Sequence, residues 1–290
     1  VICRVAWPGS PATGVSHQKI AYAKAQGQLA YYHALEAEGL MRQISDRVAL
    51  DAHIQQWETD SASTPLGYIL SMEGADPIVS PGQVASWWDD GLRVVGLSHY
   101  GFSAYAHGHD MVGGLTDRGR PLLAAMREAG MIVDLTHLAD IAFWEVLEAF
   151  DGPVLASHNN CRALVPDPRQ FDDDQLKAII ARGGMIGSAL DAWMLCPGWI
   201  RGETLPDVVG LDALVDHMVH ICELAGNTNH VGIGSDLDGG YGTEQTPHDL
   251  DTITDLHKIA PMLSDRGFSD EDVKRVMHGN WFEYFRRNLP

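Results

Sequence analysis

The sequence is poor in basic residues, with 20 Lys and Arg against 39 Asp and Glu, a formal net charge of -19. A surface of that sign repels phosphate backbones and anionic lipid, which excludes nucleic acid as a partner. Cysteine is scarce too. Cys3, Cys161, Cys196 and Cys222 are widely spaced, with no C-x-x-C pair, so neither a zinc knuckle nor a disulfide framework is indicated and a reducing, cytoplasmic compartment is expected. No apolar run approaches the ~18 residues of a membrane span, and Phe285-Arg-Arg-Asn-Leu-Pro290 is not a hydrophobic anchor signal. Linkers, charge blocks and repeats are lacking as well, so residues 1–290 are expected to form a single domain. The chain opens on Val1 in a strand-like run rather than on Met. Something upstream is therefore expected, and a signal removed with it leaves the compartment open.

Several catalytic motifs are missing: there is no G-x-S-x-G elbow, no Walker A loop and no H-E-x-x-H, and Gly232-x-Gly234 lacks the third glycine of a dinucleotide fingerprint. What is present is a repeated pattern of strand, polar exit and helix. Met131-Ile-Val-Asp-Leu-Thr-His137 and Pro153-Val-Leu-Ala-Ser-His158 are short apolar runs, each ending in a polar group and a histidine. Such runs suit buried parallel strands. Between them, Leu138 to Phe150 reads as a helix, completing a βαβ unit. Ligands sit at the carboxyl ends of strands in folds of this class, so both imidazoles would face one site.

The rest follows the same pattern. Val1 to Trp7 reads as a strand and Ser16 to Leu40 as a long helix, with Ile20, Ala23, Ala30, Tyr31 and Ala34 at helical spacing. A second helix, near Ala49 to Trp57, leads into a strand over Leu66 to Met72, which exits at Glu73. Ser80 and Pro81 open a helix, and Leu92 to Ser98 is a strand that exits at His99. Thr116 or Asp117 caps a helix ending at Gly130. Further helices are expected over Asp172 to Arg182, Leu211 to Ala225, Leu250 to Leu263 and Ser269 to His278. Strands are expected over Gly184 to Leu190 and over His230 to Ser235, which exits at Asp236. Seven strands, near residues 2, 68, 93, 132, 154, 185 and 231, alternate with helices, as in an α/β fold with a parallel sheet. A closed (β/α)8 TIM-type barrel needs one more, and the abrupt start places it upstream of Val1.

Glu73, His99, His137, His158 and Asp236 thus fall at strand exits. Imidazole and carboxylate are donors that zinc takes, and a carboxylate can bridge two ions. Each also has a structural alternative: a satisfied histidine, a capping or salt-bridged Glu73, or an Asp236 that belongs to a Gly234-Ser-Asp-Leu-Asp-Gly239 turn. In that turn Asp238 reads as structural. His107-Gly-His109-Asp110 looks like a ligand cluster but stands mid-loop with no strand to fix it, and Cys161, three residues after His158, reads as packing.

Taken together, Ser71-Met-Glu-Gly-Ala75, Gly91 through His99, Gly114-Leu-Thr116, Gly130 through His137, Ser157-His158 and His230 through Gly239 resemble the membrane (renal) dipeptidase family, metallopeptidases of the amidohydrolase superfamily. The resemblance runs nearly the whole chain in order. It implies a (β/α)8 barrel, a binuclear zinc site with two ions, a small peptide substrate that can carry a D-residue at its C-terminal position, and a homodimer. By this resemblance Glu73 is the bridging carboxylate and His137 and His158 bind the second metal. His99 contacts the scissile carbonyl and stabilises the oxyanion, and Arg169 holds the substrate's terminal carboxylate. Asp236, beside the metals, takes a proton from the bridging water, whose metal-bridged hydroxide is the nucleophile, and passes it to the leaving amine. The family's first strand carries a His-x-Asp metal pair, and no such pair stands at a matching position here. Rival readings are another amide- or ester-cleaving amidohydrolase, and a non-catalytic, decayed barrel lacking the first metal site.

Overall fold

Glycine, proline and capping residues divide the chain into short parallel strands and amphipathic helices. The computed structural model describes residues 15–237 and 239–290. In order the elements are α1 (Gln18–Ala37), β1 (Met41–Gln43), α2 (Arg47–Thr59), β2 (Leu66–Tyr68), β3 (Leu70–Met72), α3 (Val84–Asp89), β4 (Leu92–Gly96), α4 (Gly119–Ala129), β5 (Ile132–Asp134), α5 (Asp140–Ala149), β6 (Val154–Leu155), α6 (Asp173–Ala181), β7 (Ile186–Ser188), α7 (Leu211–Ala225), β8 (Val231–Ile233), α8 (Ile259–Asp265), α9 (Asp270–Lys274) and α10 (Asn280–Asn288). The described residues divide into two compact units, one up to residue 153 together with 285–290, the other within residues 154–284.

In the first unit β1 lies parallel to β2, Met41 opposite Leu66. The strands β3, β4 and β5 form a second parallel ladder, with Met72 opposite Val95 and Val95 opposite Val133. β4 and β5 are buried along their whole length, as expected of strands covered on both faces. Ile44, Leu50 and Leu289 share a small core with Phe285, so the end of α10 belongs to this unit. In the second unit β7 pairs in parallel with β8, Gly187 opposite Gly232, and Ala156, just after β6, bridges Ile186. Here the backbones approach closely. A Cβ on Gly187 or Gly234 would overlap the carbonyl oxygen of Ser157. The helix α7 turns Leu211, Leu214, Val215, His217, Met218 and Ile221 inward, an apolar stripe at helical spacing. Asp172 starts α6 with a reciprocal capping box to Gln175, and Ser269 starts α9 the same way with Asp272.

Several expectations change. The buried face of α1 is Ala21, Ala25 and Leu29, whereas Ile20 and Tyr31 are exposed; small residues permit the close approach and the larger ones point outward. β1 was not expected, because Met41, Arg42 and Gln43 form no apolar run and it is the ladder to β2 that makes them a strand. The run Leu66 to Met72 is two strands with Ile69 between them. Neither Thr116 nor Asp117 is the N-cap of α4, which begins after Arg118. The expected helix over Leu250 to Leu263 is a 3₁₀ turn, Ile253–Lys258, followed by α8. Pro261 lacks the N–H that would continue one α-ladder across that junction. A π turn, Arg275–Gly279, joins α9 to α10. The strand expected at Val1 to Trp7, Cys3 and Asp238 lie outside the described residues.

Candidate active site

β3, β4 and β5 each deliver a side chain just beyond the ladder. Glu73 follows β3, His99 follows β4 by three residues, and His137 follows β5 by three. Glu73 Oε1 is 2.9 Å from His137 Nε2 and 3.5 Å from His99 Nε2. The His99 and His137 rings lie 4.2 Å apart, and Tyr100 stands edge-on to His99 at 4.7 Å. His137 is buried, while Glu73 and His99 each keep 17% of their side-chain surface exposed, enough to meet a small ligand. His137 has φ 69°, a left-handed backbone rare outside glycine. Its carbonyl accepts from the N–H of His109 at 2.8 Å and from Ser98 Oγ at 3.4 Å. Asp134, at the end of β5, is buried and accepts from the N–H of Thr136 at 3.0 Å, which tightens the turn.

In the second unit His158 follows β6 by three residues. It is buried, with Nδ1 2.9 Å from Ser157 Oγ. Arg169 is also buried: Nη2 donates to the His158 carbonyl at 2.8 Å and Nη1 to Asn159 Oδ1 at 2.6 Å. The arginine is therefore anchored at the exit of β6 rather than on the surface beside Asp172. Asn159 and Asn160 are fully buried; Asn160 Nδ2 donates to the Ala189 carbonyl and its Oδ1 accepts from the Ala189 N–H, both at 3.0 Å. Asp236 follows β8 by three residues with φ 54°, and its carbonyl accepts from the Gly239 N–H at 2.8 Å.

Two further residues join Asp236. Burial pushes the Asp191 carboxyl up to about 6 despite hydrogen bonds from Gln245 and Trp193, and the Asp236 charge adds to the rise. Gln245 Nε2 reaches both Asp191 oxygens, at 2.8 and 2.9 Å. Burial also raises the Tyr241 phenol, helped by the charges of Asp236 and Asp191 and opposed by Arg169. Tyr241, Asp191, Asp236 and Arg169 thus form one electrostatic group. Sequence reasoning missed Asp191, Tyr241 and Gln245, which lie in irregular segments with no periodicity to reveal them. It also set His109 aside, yet His109 Nδ1 is 3.3 Å from His137 Nδ1. Cys161 is buried, and burial raises its thiol well above the ordinary range, so it is inert packing.

Among the expected site residues, Glu73, His99 and His137 converge in the first unit; His158, Arg169 and Asp236 stand at or beside strand exits of the second. A carboxylate oxygen 2.9 Å from an imidazole nitrogen is close to the ~3.3 Å edge of a tetrahedral site with Zn–N distances of 2.0–2.1 Å. Carboxylate and imidazole donors of this kind fit a metal ion.

Parallel α/β ladders with carboxylate and imidazole donors at the strand exits define a metallohydrolase-like scaffold. The match to the family model "Membrane dipeptidase (Peptidase family M19)" extends over residues 16–288, and the chain belongs to that family. Dipeptidase verJ of Clonostachys rogersoniana is 30% identical over 244 residues, covering 82% of this chain and 59% of its own length. Human dipeptidase 3 is 26% identical over 273 residues, covering 91% of this chain and 54% of its own. The chain thus spans between half and three fifths of the length of these relatives. Among solved structures, a metallopeptidase from Rhodobacter sphaeroides liganded with a phosphinate mimic of the dipeptide L-Ala-D-Ala matches with a TM-score of 0.82 at 24% identity, over 96% of this chain and 78% of that one. This likeness shows the fold. No helix among the described residues is long and apolar enough to cross a membrane.

Proposed function

We propose that the protein is a zinc-dependent dipeptidase and that the strands of both units belong to one (β/α)8 barrel, a single domain. The observation that carries this reading is the convergence of Glu73, His137 and His99 at the ends of three adjacent parallel strands in a chain of the membrane dipeptidase family. Glu73, His137, His158 and Asp236 would hold two zinc ions. Bound zinc supplies a Lewis acid for the scissile carbonyl and lowers the pKa of water to about 7.

The chain's own groups do the rest. His99 donates to the carbonyl oxygen as negative charge develops there. Arg169 pairs its guanidinium with the terminal carboxylate of the substrate, which selects short peptides. Asp236 accepts the proton of the attacking water and returns it to the leaving amine. A D-residue at the C-terminal position is the proposed preference, supported by the L-Ala-D-Ala mimic bound in the Rhodobacter relative. A homodimer is the proposed assembly.

The test is hydrolysis of L-Ala-D-Ala and L-Ala-L-Ala by the full-length protein, zinc-loaded or chelated, beside Glu73→Gln. Activity that disappears with chelator, returns with zinc and is missing from the variant supports the reading. Equal cleavage of the dipeptide amides, which lack the carboxylate, would favour the broader amidohydrolase alternative. No zinc retention and no hydrolysis would favour the decayed barrel.

A further inference from the structure

His109 has no part in the roles given above, yet the fold goes to some length to place it. Its loop is fixed by backbone bridges between Phe102 and His107, Ala106 and Leu115, and Gly108 and Leu138. Asp110 Oδ1 accepts from the N–H of Gly101 at 2.5 Å. Gly108 lies so tightly on the carbonyl of His99 that a Cβ would overlap it. The consequence is a two-point attachment to His137. The His109 N–H donates to the His137 carbonyl at 2.8 Å, and the two Nδ1 atoms are 3.3 Å apart. Tyr100 stands edge-on to His109 at 4.6 Å and closes that side of the pair.

The ring of His137 therefore lies between two partners, Nε2 at Glu73 Oε1 and Nδ1 at His109 Nδ1. A neutral imidazole carries one N–H. With the proton on Nε2, His137 donates to Glu73 and has no lone pair there for a metal. With the proton on Nδ1, the Nε2 lone pair is available beside the carboxylate, and Nδ1–H needs an acceptor. Metal-binding histidines are commonly oriented by such an acceptor, whose loss costs 10–100-fold in metal affinity.

We infer that His109 is a positioning residue: its Nδ1 accepts the Nδ1–H of His137 and thereby holds His137 in the tautomer whose Nε2 binds metal. This rests on the reading of His137 as a metal ligand. The proton of His109 then resides on its own Nε2. The backbone bond from His109 to His137 survives any side-chain substitution, so a variant at this position isolates the acceptor.

The experiment is zinc affinity, measured by competition with a chromophoric chelator on metal-free full-length protein, for wild type, His109→Ala, His109→Asn and His137→Ala. Asn places Oδ1 near the position of Nδ1 and restores an acceptor; thermal melts check that each variant is folded. Expected are a 10–100-fold weaker zinc site in His109→Ala, recovery to within a few-fold of wild type in His109→Asn, and loss of the site in His137→Ala. Imidazole ¹⁵N shifts should report His137 protonated at Nδ1 in wild type and a mixed tautomer in His109→Ala. Wild-type affinity in His109→Ala would overturn the inference while leaving the metal site intact. Equal weakness in His109→Ala and His109→Asn would also overturn it, by reducing His109 to packing. Undiminished zinc binding by His137→Ala would remove both the ligand assignment and the inference.

Discussion

Acidification should destabilise the second unit through His217. This histidine lies on the buried stripe of α7, 1% exposed, and its Nδ1 accepts from the backbone N–H of Cys161 at 3.0 Å. Burial holds its pKa down, to about 4 from 6.5, with the neighbouring His220 adding to the shift and Asp216 opposing it. Protonation would leave a cation in apolar surroundings and turn the acceptor into a donor that faces another donor. A depressed folded pKa favours the neutral form, so the stability it protects is complete above pH 6.5 and is lost as pH falls through 4. Linkage gives a loss of roughly 1 kcal/mol at pH 5.5 and roughly 2–3 kcal/mol at pH 4.5. His217→Asn keeps an acceptor for Cys161 and cannot titrate. Urea unfolding at pH 7.5, 5.5 and 4.5 should show wild type losing those amounts in excess of the variant, the many carboxylates contributing equally to both. Parallel pH dependences for the two proteins would refute the reasoning.

Gly234→Ala should cost about 3 kcal/mol, the upper end for overpacking, because its Cβ would overlap the Ser157 carbonyl and come within 2.7 Å of Gly187 backbone atoms; a melting temperature near wild type would count against the close approach of β6, β7 and β8. Arg169→Ala should raise KM for dipeptides far more than it lowers kcat, and should also destabilise by about 2 kcal/mol, since it removes donors to the buried Asn159 Oδ1 and the His158 carbonyl. An unchanged KM would leave Arg169 a purely structural residue. Asp236→Gly should be about 1 kcal/mol more stable than Asp236→Ala, the reverse of the usual order, because φ is 54° there; the usual order in chemical denaturation would show that the position is unstrained.

The parts of the fold that depend on local pattern could be read directly. The apolar runs that became β4, β5 and β6 and the helices α6, α7 and α9 were all visible, because strand burial and helical period are properties of a few neighbouring residues. β1 was invisible for the opposite reason: Arg42 and Gln43 are polar, and only pairing with β2 makes them a strand. The inner face of α1 was misread because Ala21 and Ala25 carry little hydrophobic signal, whereas Ile20 and Tyr31 carry much of it and face outward. The site shows the same division. Glu73, His99 and His137 could be found because each follows a readable strand. His109 and Asp191 could not, since what fixes them is bridging within an irregular loop and a hydrogen bond from the distant Gln245.

Among the described residues, only His137 and Asp236 are non-glycine residues with positive φ, and both had been singled out as site candidates from their place after a strand. The coincidence has a physical basis. The backbone of β5 and β8 is still engaged in ladders up to Asp134 and Ile233, and three residues later the chain turns sharply at His137 and Asp236, as it does not at His99 and His158, which follow β4 and β6 at the same distance. A left-handed residue makes that turn at a cost of about 1 kcal/mol for a residue with a Cβ. Glycine would make it without the cost and would bring no imidazole or carboxylate. The strain is tolerated because neighbouring groups hold the conformation: Ser98 and His109 at the carbonyl of His137, and the N–H of Gly239 at the carbonyl of Asp236. A strained backbone that stability alone would have relieved with glycine motivates the functional roles proposed for both residues. It occurs in both units, each time three residues beyond a parallel strand.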